Sequence, residues 1–297
     1  MPKTYTNFDR MKQLYTLIFS LVATLLISCG SNLTNAGDKE ARTIDSLPDN
    51  ARRLIEAYPE QIAGYENNEL IFHSGTRLTF NDGTKRTIEQ MHLEQDIKDI
   101  FFQEYDTTRF PPDYGYDPGR YRSAAFFDEI YGSTSDEVID SLVVVNWCPR
   151  MGGTPVVFTK IAGAAQALRR VSNELEKHPE LAPWVVGAQT FNYRTIHGTN
   201  RKSPHSYGIA IDLAVPLSHY WRFSYPNATE HTEIEYLNTF NLKVVEIFER
   251  HGFIWGGRWY HFDTMHFEYR PEMFTTPQNN SSEQAPTTEA LSPETIS

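Results

Sequence analysis

Seven of the ten histidines lie between His197 and His266, and two segments there combine imidazole and carboxylate at spacings a metal ion could use. In the run from Ser203 to Val215, Ile209, Ile211, Leu213 and Val215 alternate with Ala210, Asp212 and Ala214. That alternation predicts a strand with one core face and one face of small residues interrupted by a carboxylate. His205 precedes it in a loop, and Gly208 permits a sharp entry, so His205 and Asp212 could reach one ion. The second segment, Trp255 to Glu268, carries Gly256, Gly257, His261, Asp263 and His266. A final strand there puts His266, Glu268 and Arg270 on one face, with Phe267 and Tyr269 in the core. Asp263 must lie in the preceding turn, because a separation of three along a straight strand would point it away from His266. Two imidazoles, one carboxylate and an open fourth position make a catalytic zinc site. A nearby carboxylate that is not a ligand is what a zinc hydrolase uses as general base.

Taken together, Ser-x-His-x-x-Gly-x-Ala-x-Asp (203–212), Trp-Gly-Gly (255–257) and Asp-x-x-His-Phe-Glu (263–268) resemble the VanY-type D-alanyl-D-alanine carboxypeptidase family. That family also includes L-alanyl-D-glutamate endopeptidases and shares its fold with the hedgehog signalling domain. The resemblance implies that His205, Asp212 and His266 bind Zn2+, that Asp263 is the general base, and that Arg194 polarises the scissile carbonyl. It covers about Thr190 to Pro271, while Asp117-Pro118-Gly119-Arg120 resembles a subset of the family more loosely. Glu268 is expected to orient a zinc-bound imidazole. His261 either lines the cleft or is a hydrogen-bonded structural histidine. Trp255 and Tyr207 are further candidates for the surroundings of the site, with Trp259 and Tyr260 as aromatic wall or core.

The implied substrate is the stem peptide of peptidoglycan, cut as a D,D-carboxypeptidase or, alternatively, as an L-alanyl-D-glutamate-type endopeptidase. A zinc-stabilised binding module without turnover and an inert lipoprotein spacer are the readings from other classes. A carboxypeptidase needs a cation for the terminal carboxylate, for which Arg201 and Arg120 are the candidates.

The elements that must hold these groups read as α+β: one domain over 44–274, with a small antiparallel sheet carrying the zinc site and helices flanking it. A first helix is expected over Ala51–Tyr58, stopped by Pro59, then a hairpin of Leu70–Phe72 with Leu78–Phe80 and a turn at Asn81-Asp82-Gly83. His92–Tyr105 has helical spacing. Thr134-Ser135-Asp136-Glu137 has the capping-box pattern and leads to a strand at Leu142–Trp147. Further helices are expected over Ile161–Lys177 and about Glu235–Arg250, the latter with Gly252 just past its end.

The termini differ from this domain. Lys3, Arg10 and Lys12 precede an apolar run from Leu14 to Ile27 that is too short for a membrane span and reads as an export signal over 1–28. It ends in Leu26-Ile27-Ser28-Cys29-Gly30, which resembles a bacterial lipobox, so Cys29 is expected to carry lipid and residues 29–43 to tether the domain outside the cytoplasm. Met11 offers an alternative start. Only Cys148 then remains, so no intrachain disulfide is expected. Residues 275–297 have a disordered composition. The chain carries −11, and removal of 1–28 leaves −13. With no Lys/Arg cluster, a nucleic-acid partner is excluded on charge.

Overall fold

The computed structural model describes residues 47–274; the expected export segment, Cys29, the whole of the expected tether, residues 44–46 of the expected domain and the tail at 275–297 lie outside the described residues. The chain divides between Arg52 and Arg53. Of the first unit only 47–52 are described, as the entry to helix α1 (Asp49–Ala57), and the second unit carries all that follows.

The second unit is α+β, with three small antiparallel sheets. Strands β1 (Ile62–Glu66), β2 (Glu69–Phe72) and β3 (Arg77–Thr79) form a meander. The first of these was not expected, because Ala63 and Gly64 give it no apolar alternation. Its turn is nonetheless written in Asn67 and Asn68, both with positive φ, the residue type that tolerates a tight hairpin between paired Glu66 and Glu69.

The expected helix over His92–Tyr105 does not form. A single turn, α2 (Ile88–Met91), ends at His92, and a separate 3-10 turn spans Ile97–Phe101. Asp96 and Asp99 are the cause: the Asp99 carboxylate accepts the Asp96 backbone N–H at 3.0 Å, starting a new turn where a continuous helix would need that N–H. Helix α3 (Ala124–Tyr131) follows, then α4 (Ser135–Ile139), whose capping box is formed by Thr134 and Glu137.

Strands β4 (Leu142–Val145) and β5 (Val156–Thr159) pair as a hairpin packed on α5 (Ala164–Leu175). This helix buries Ala164, Leu168, Val171 and Leu175 along one stripe. It starts later than the spacing suggested because Ala162, at φ 50°, kinks the chain.

The third sheet has the order β6-β8-β7, from β6 (Ala210–Asp212), β7 (Phe253–Trp255) and β8 (His266–Tyr269). Before β7, the chain makes one helical turn, α6 (Trp221–Ser224), and then α7 (Leu242–Glu249). Helix α7 is shorter than expected because Asn241 caps it, its side chain accepting the Lys243 N–H at 2.9 Å, while Asn238 accepts the Phe240 N–H.

One face of the third sheet is aromatic core. Phe267 stacks on Phe248 of α7 at 4.1 Å between ring centroids and lies against Trp255 and Phe240. With one face fixed by apolar burial, the alternation of β8 sends His266 and Glu268 to the other.

Candidate metal centre

Register brings the first two candidate ligands together. In the β6–β8 pair, Asp212 lies directly opposite His266, and Ala210 lies opposite Glu268, where a small residue leaves room for the carboxylate. His205 comes from the 3-10 turn Pro204–Tyr207, capped by Ser203 and closed by Gly208 at φ +67°. The positive φ demands glycine, and a Cβ there would also sit 2.6 Å from the end of the Leu142 side chain, which would have to shift.

His205 Nε2 ends 3.2 Å from Asp212 Oδ2 and 3.3 Å from His266 Nδ1, and His266 Nδ1 lies 2.8 Å from Asp212 Oδ1. A tetrahedral ion with bonds of about 2.0–2.1 Å separates its ligand atoms by about 3.4 Å, close to these distances.

Hydrogen bonds on the far sides of the rings decide where their lone pairs point. His205 Nδ1 donates to the Thr190 carbonyl at 2.6 Å, and His266 Nε2 donates to Glu268 Oε1 at 3.0 Å. Both remaining nitrogens therefore face the Asp212 carboxylate and each other, an arrangement that requires a positive charge between them. A proton on His266 is one way to supply it. Burial alone would lower that pKa, but the hydrogen bonds to Asp212 and Glu268 hold it up at about 10. A divalent ion is the other, and the donor set of two imidazoles and one carboxylate fits zinc.

Glu268 is fully buried and held by Arg122 and Arg270, the former through the two nitrogens Nε and Nη2. Although burial raises its pKa, the adjacent Arg122 and His266 hold it well below the usual carboxylate range, so it remains an acceptor for His266.

Asp263 lies in the turn before β8, its carbonyl accepting the His266 N–H at 3.1 Å. Its Oδ1 is buried without a hydrogen-bond partner. Burial, reinforced by the charges of Asp212 and Glu268 against the opposing pull of His266, raises its pKa to about 7. The two glycines before it make this turn. A Cβ on Gly256 would lie 2.5 Å from the Asp263 carbonyl, and one on Gly257 would lie 2.2 Å from the Trp255 ring.

These groups line a cleft of about 670 Å3, shared with Arg120, Arg122, Arg194 and Arg201. Arg194 is exposed at its edge, its backbone tied to Ser206 Oγ and its guanidinium bonded, among the described residues, to the Thr195 carbonyl alone. His261 also lines the cleft, fixed by a 2.6 Å bond from Nδ1 to Asp117 with Nε2 unpartnered.

Asp117, Glu230 and His261 form a second convergence of donor atoms. There the place of a cation is taken by Arg120, whose Nη1 lies 2.9 Å from Asp117 and 3.0 Å from Glu230.

Two candidates for the surroundings of the site lie in the core. Trp255 is fully buried and walls no cleft; its indole N–H binds the Thr264 carbonyl at 2.9 Å and so braces the turn carrying Asp263. Tyr207 is likewise core, donating to Asp128 at 2.7 Å beside Phe127. Four contributors went unread in the sequence. Thr190 acts through its carbonyl, which no residue type announces. Arg122, Glu230 and His92 are distant in the chain, and only Arg122 stood near a noticed motif, two residues after Arg120.

Residues 197–269 match the model of a family described as D-alanyl-D-alanine carboxypeptidase. No curated protein and no solved structure matches the chain.

Proposed function

With residues 197–269 of the D-alanyl-D-alanine carboxypeptidase family's type, we propose that the chain is a zinc metallopeptidase of hedgehog/DD-peptidase fold that hydrolyses peptidoglycan stem peptides, removing the terminal D-alanine. The family match supports a peptidase acting on peptidoglycan. The observation that carries the zinc reading is the convergence of His205 Nε2, Asp212 and His266 Nδ1, with the outer nitrogens of both rings already engaged.

In this reading His205, Asp212 and His266 hold zinc, which when bound supplies Lewis-acid polarisation of the scissile carbonyl and acidification of a water. The rest belongs to the chain's own residues. Asp263 Oδ1, buried and without a partner, takes the proton of the attacking water and returns it to the departing amine. A pKa near 7 suits both transfers. Arg194, which pairs with no carboxylate among the described residues, donates to the carbonyl oxygen as negative charge develops there. Glu268 and the Thr190 carbonyl keep the imidazoles oriented. A buried carboxylate left unpaired costs stability and would serve no purpose in a zinc-stabilised binding module, which weighs for turnover.

The test is mass analysis of purified muropeptides incubated with the zinc-loaded chain. Loss of one alanine is the expected result, two peptide fragments would make it an endopeptidase, and intact muropeptides would reject the reading. Anchorage at Cys29, outside the cytoplasm where peptidoglycan lies, is part of the proposal. Cys29→Ala is expected to move the chain from the membrane to the soluble fraction, and unchanged partition would reject the anchor.

A further inference from the structure

The cleft beside the metal centre contains more guanidinium than its own carboxylates neutralise. Arg120 is held by Asp117 and Glu230, Arg222 reaches Glu230 at 3.1 Å, and Arg122 is held by Glu268. Arg201 is different. Among the described residues it forms no ion pair, and its guanidinium makes one side-chain contact, 3.4 Å from His92 Nδ1.

That neighbour leaves the charge of Arg201 intact. His92 is kept neutral, its pKa lowered to about 4 by burial and by Arg120 and Arg201, so Nδ1 can accept from the guanidinium without cancelling it. Arg201 itself is pushed down to about 10, by burial first and then by Arg122 and Arg120, with Glu230 pulling the other way. A half-buried cation among other cations, positioned by a neutral acceptor, has Glu230 nearby but, among the described residues, no carboxylate bonded to it. The backbone supports the same end. Thr195 pairs with Lys202, and the Ile196 N–H donates to the Arg201 carbonyl at 2.8 Å, so a narrow loop presents Arg201 to the cleft that also holds His266 and Asp263.

We propose that Arg201, positioned by His92, is the receptor for a substrate carboxylate and thereby selects stem peptides by a free carboxyl group. This rests on the stem-peptide reading above. Two sources offer that chemistry: the C-terminal carboxylate of the last D-alanine and the α-carboxylate of the D-glutamate within the stem. Arg120, the other candidate cation, has both terminal nitrogens of its guanidinium bonded to the protein's own carboxylates.

The experiment measures binding rather than turnover. The full chain with Asp263→Asn, loaded with zinc, is titrated calorimetrically with a pentapeptide stem, with the same peptide amidated at its C-terminus, and with one amidated at the D-glutamate α-carboxylate. One of the two amides should bind about 10- to 100-fold more weakly, the scale of a charge-assisted hydrogen bond, and its identity names the source. In the additional variant Arg201→Gln, the free acid and that amide should bind alike, while Arg201→Lys should keep part of the preference. The zinc content of each variant reports that the fold is intact. Equal binding of all three peptides by the Asp263→Asn chain, or a preference that survives Arg201→Gln, would overturn the proposal. A loss in Arg201→Gln that is equal for all three would also overturn it, as a structural effect. Binding of none by the Asp263→Asn chain would instead overturn the stem-peptide reading on which the proposal rests.

Discussion

At the scale of the residue, the metal centre depends on which proton sits where. The His266 pKa, held up at about 10 against burial, means that at neutral pH the metal-free protein carries a proton where the ion would bind. Zinc binding must release that proton, so apparent zinc affinity should rise as pH goes from 6 towards 10. Titration with a metal indicator at several pH values checks this, and a flat profile would contradict it. Asp263 acts in the opposite sense. As the proposed base it must be unprotonated, and burial raises its pKa to about 7 in the metal-free protein, so kcat should fall on acidification. Bound zinc, being positive, shifts the limb to lower pH. Glu268→Gln keeps a partner for His266 but removes the charge that Arg122 and Arg270 share. Zinc affinity is expected to weaken about 10- to 100-fold, measurable by competition with a chelator.

The elements show why these side chains meet. Asp212 and His266 face each other because β6 and β8 pair in one register, and that register is fixed by Phe267 inserting between Phe248, Trp255 and Phe240 on the far face. A slip of one residue would turn His266 into the core and Phe267 towards the cleft. The 3-10 turn bearing His205 is equally constrained, since Gly208 holds a positive φ against Leu142. Gly208→Ala adds backbone strain and a clash together, and should destabilise the protein by about 1–3 kcal/mol. Thermal unfolding would show a lower Tm; an unchanged Tm would mean that the turn tolerates a side chain there. The expected helix at His92 fails for a related reason, because Asp96 and Asp99 bond the backbone locally. His92 is thereby left at a helix end, within reach of Arg201.

For the molecule as a whole, the ion would contribute stability as well as chemistry. Its three proposed ligands join β6, β8 and the turn before β6, and the described residues contain no disulfide; Cys148 is buried and free. With zinc a thousandfold above its Kd, linkage predicts about 4 kcal/mol of stabilisation. For a domain of this size chelation should then lower Tm by roughly 10 °C, restored on adding zinc. No helix among the described residues is long and apolar enough to cross a membrane.

The sequence alone determined the donor types and the alternation of the strands that carry them. Side-chain chemistry and the two-residue period of a strand are local properties, legible in His205, Asp212, His266 and the position of Asp263 before the last strand. The glycines were legible as special, though not why: Gly256 and Gly257 answer to the Asp263 carbonyl and the Trp255 ring, which are matters of approach. Tertiary structure alone decided that Trp255 and Tyr207 brace the core, that Thr190 orients an imidazole through its backbone, and that among the described residues Arg120 has carboxylate partners while Arg201 has none. Each of these depends on which carboxylate, carbonyl or ring comes near in space, and pairing between residues far apart in the chain leaves no mark on either one read singly.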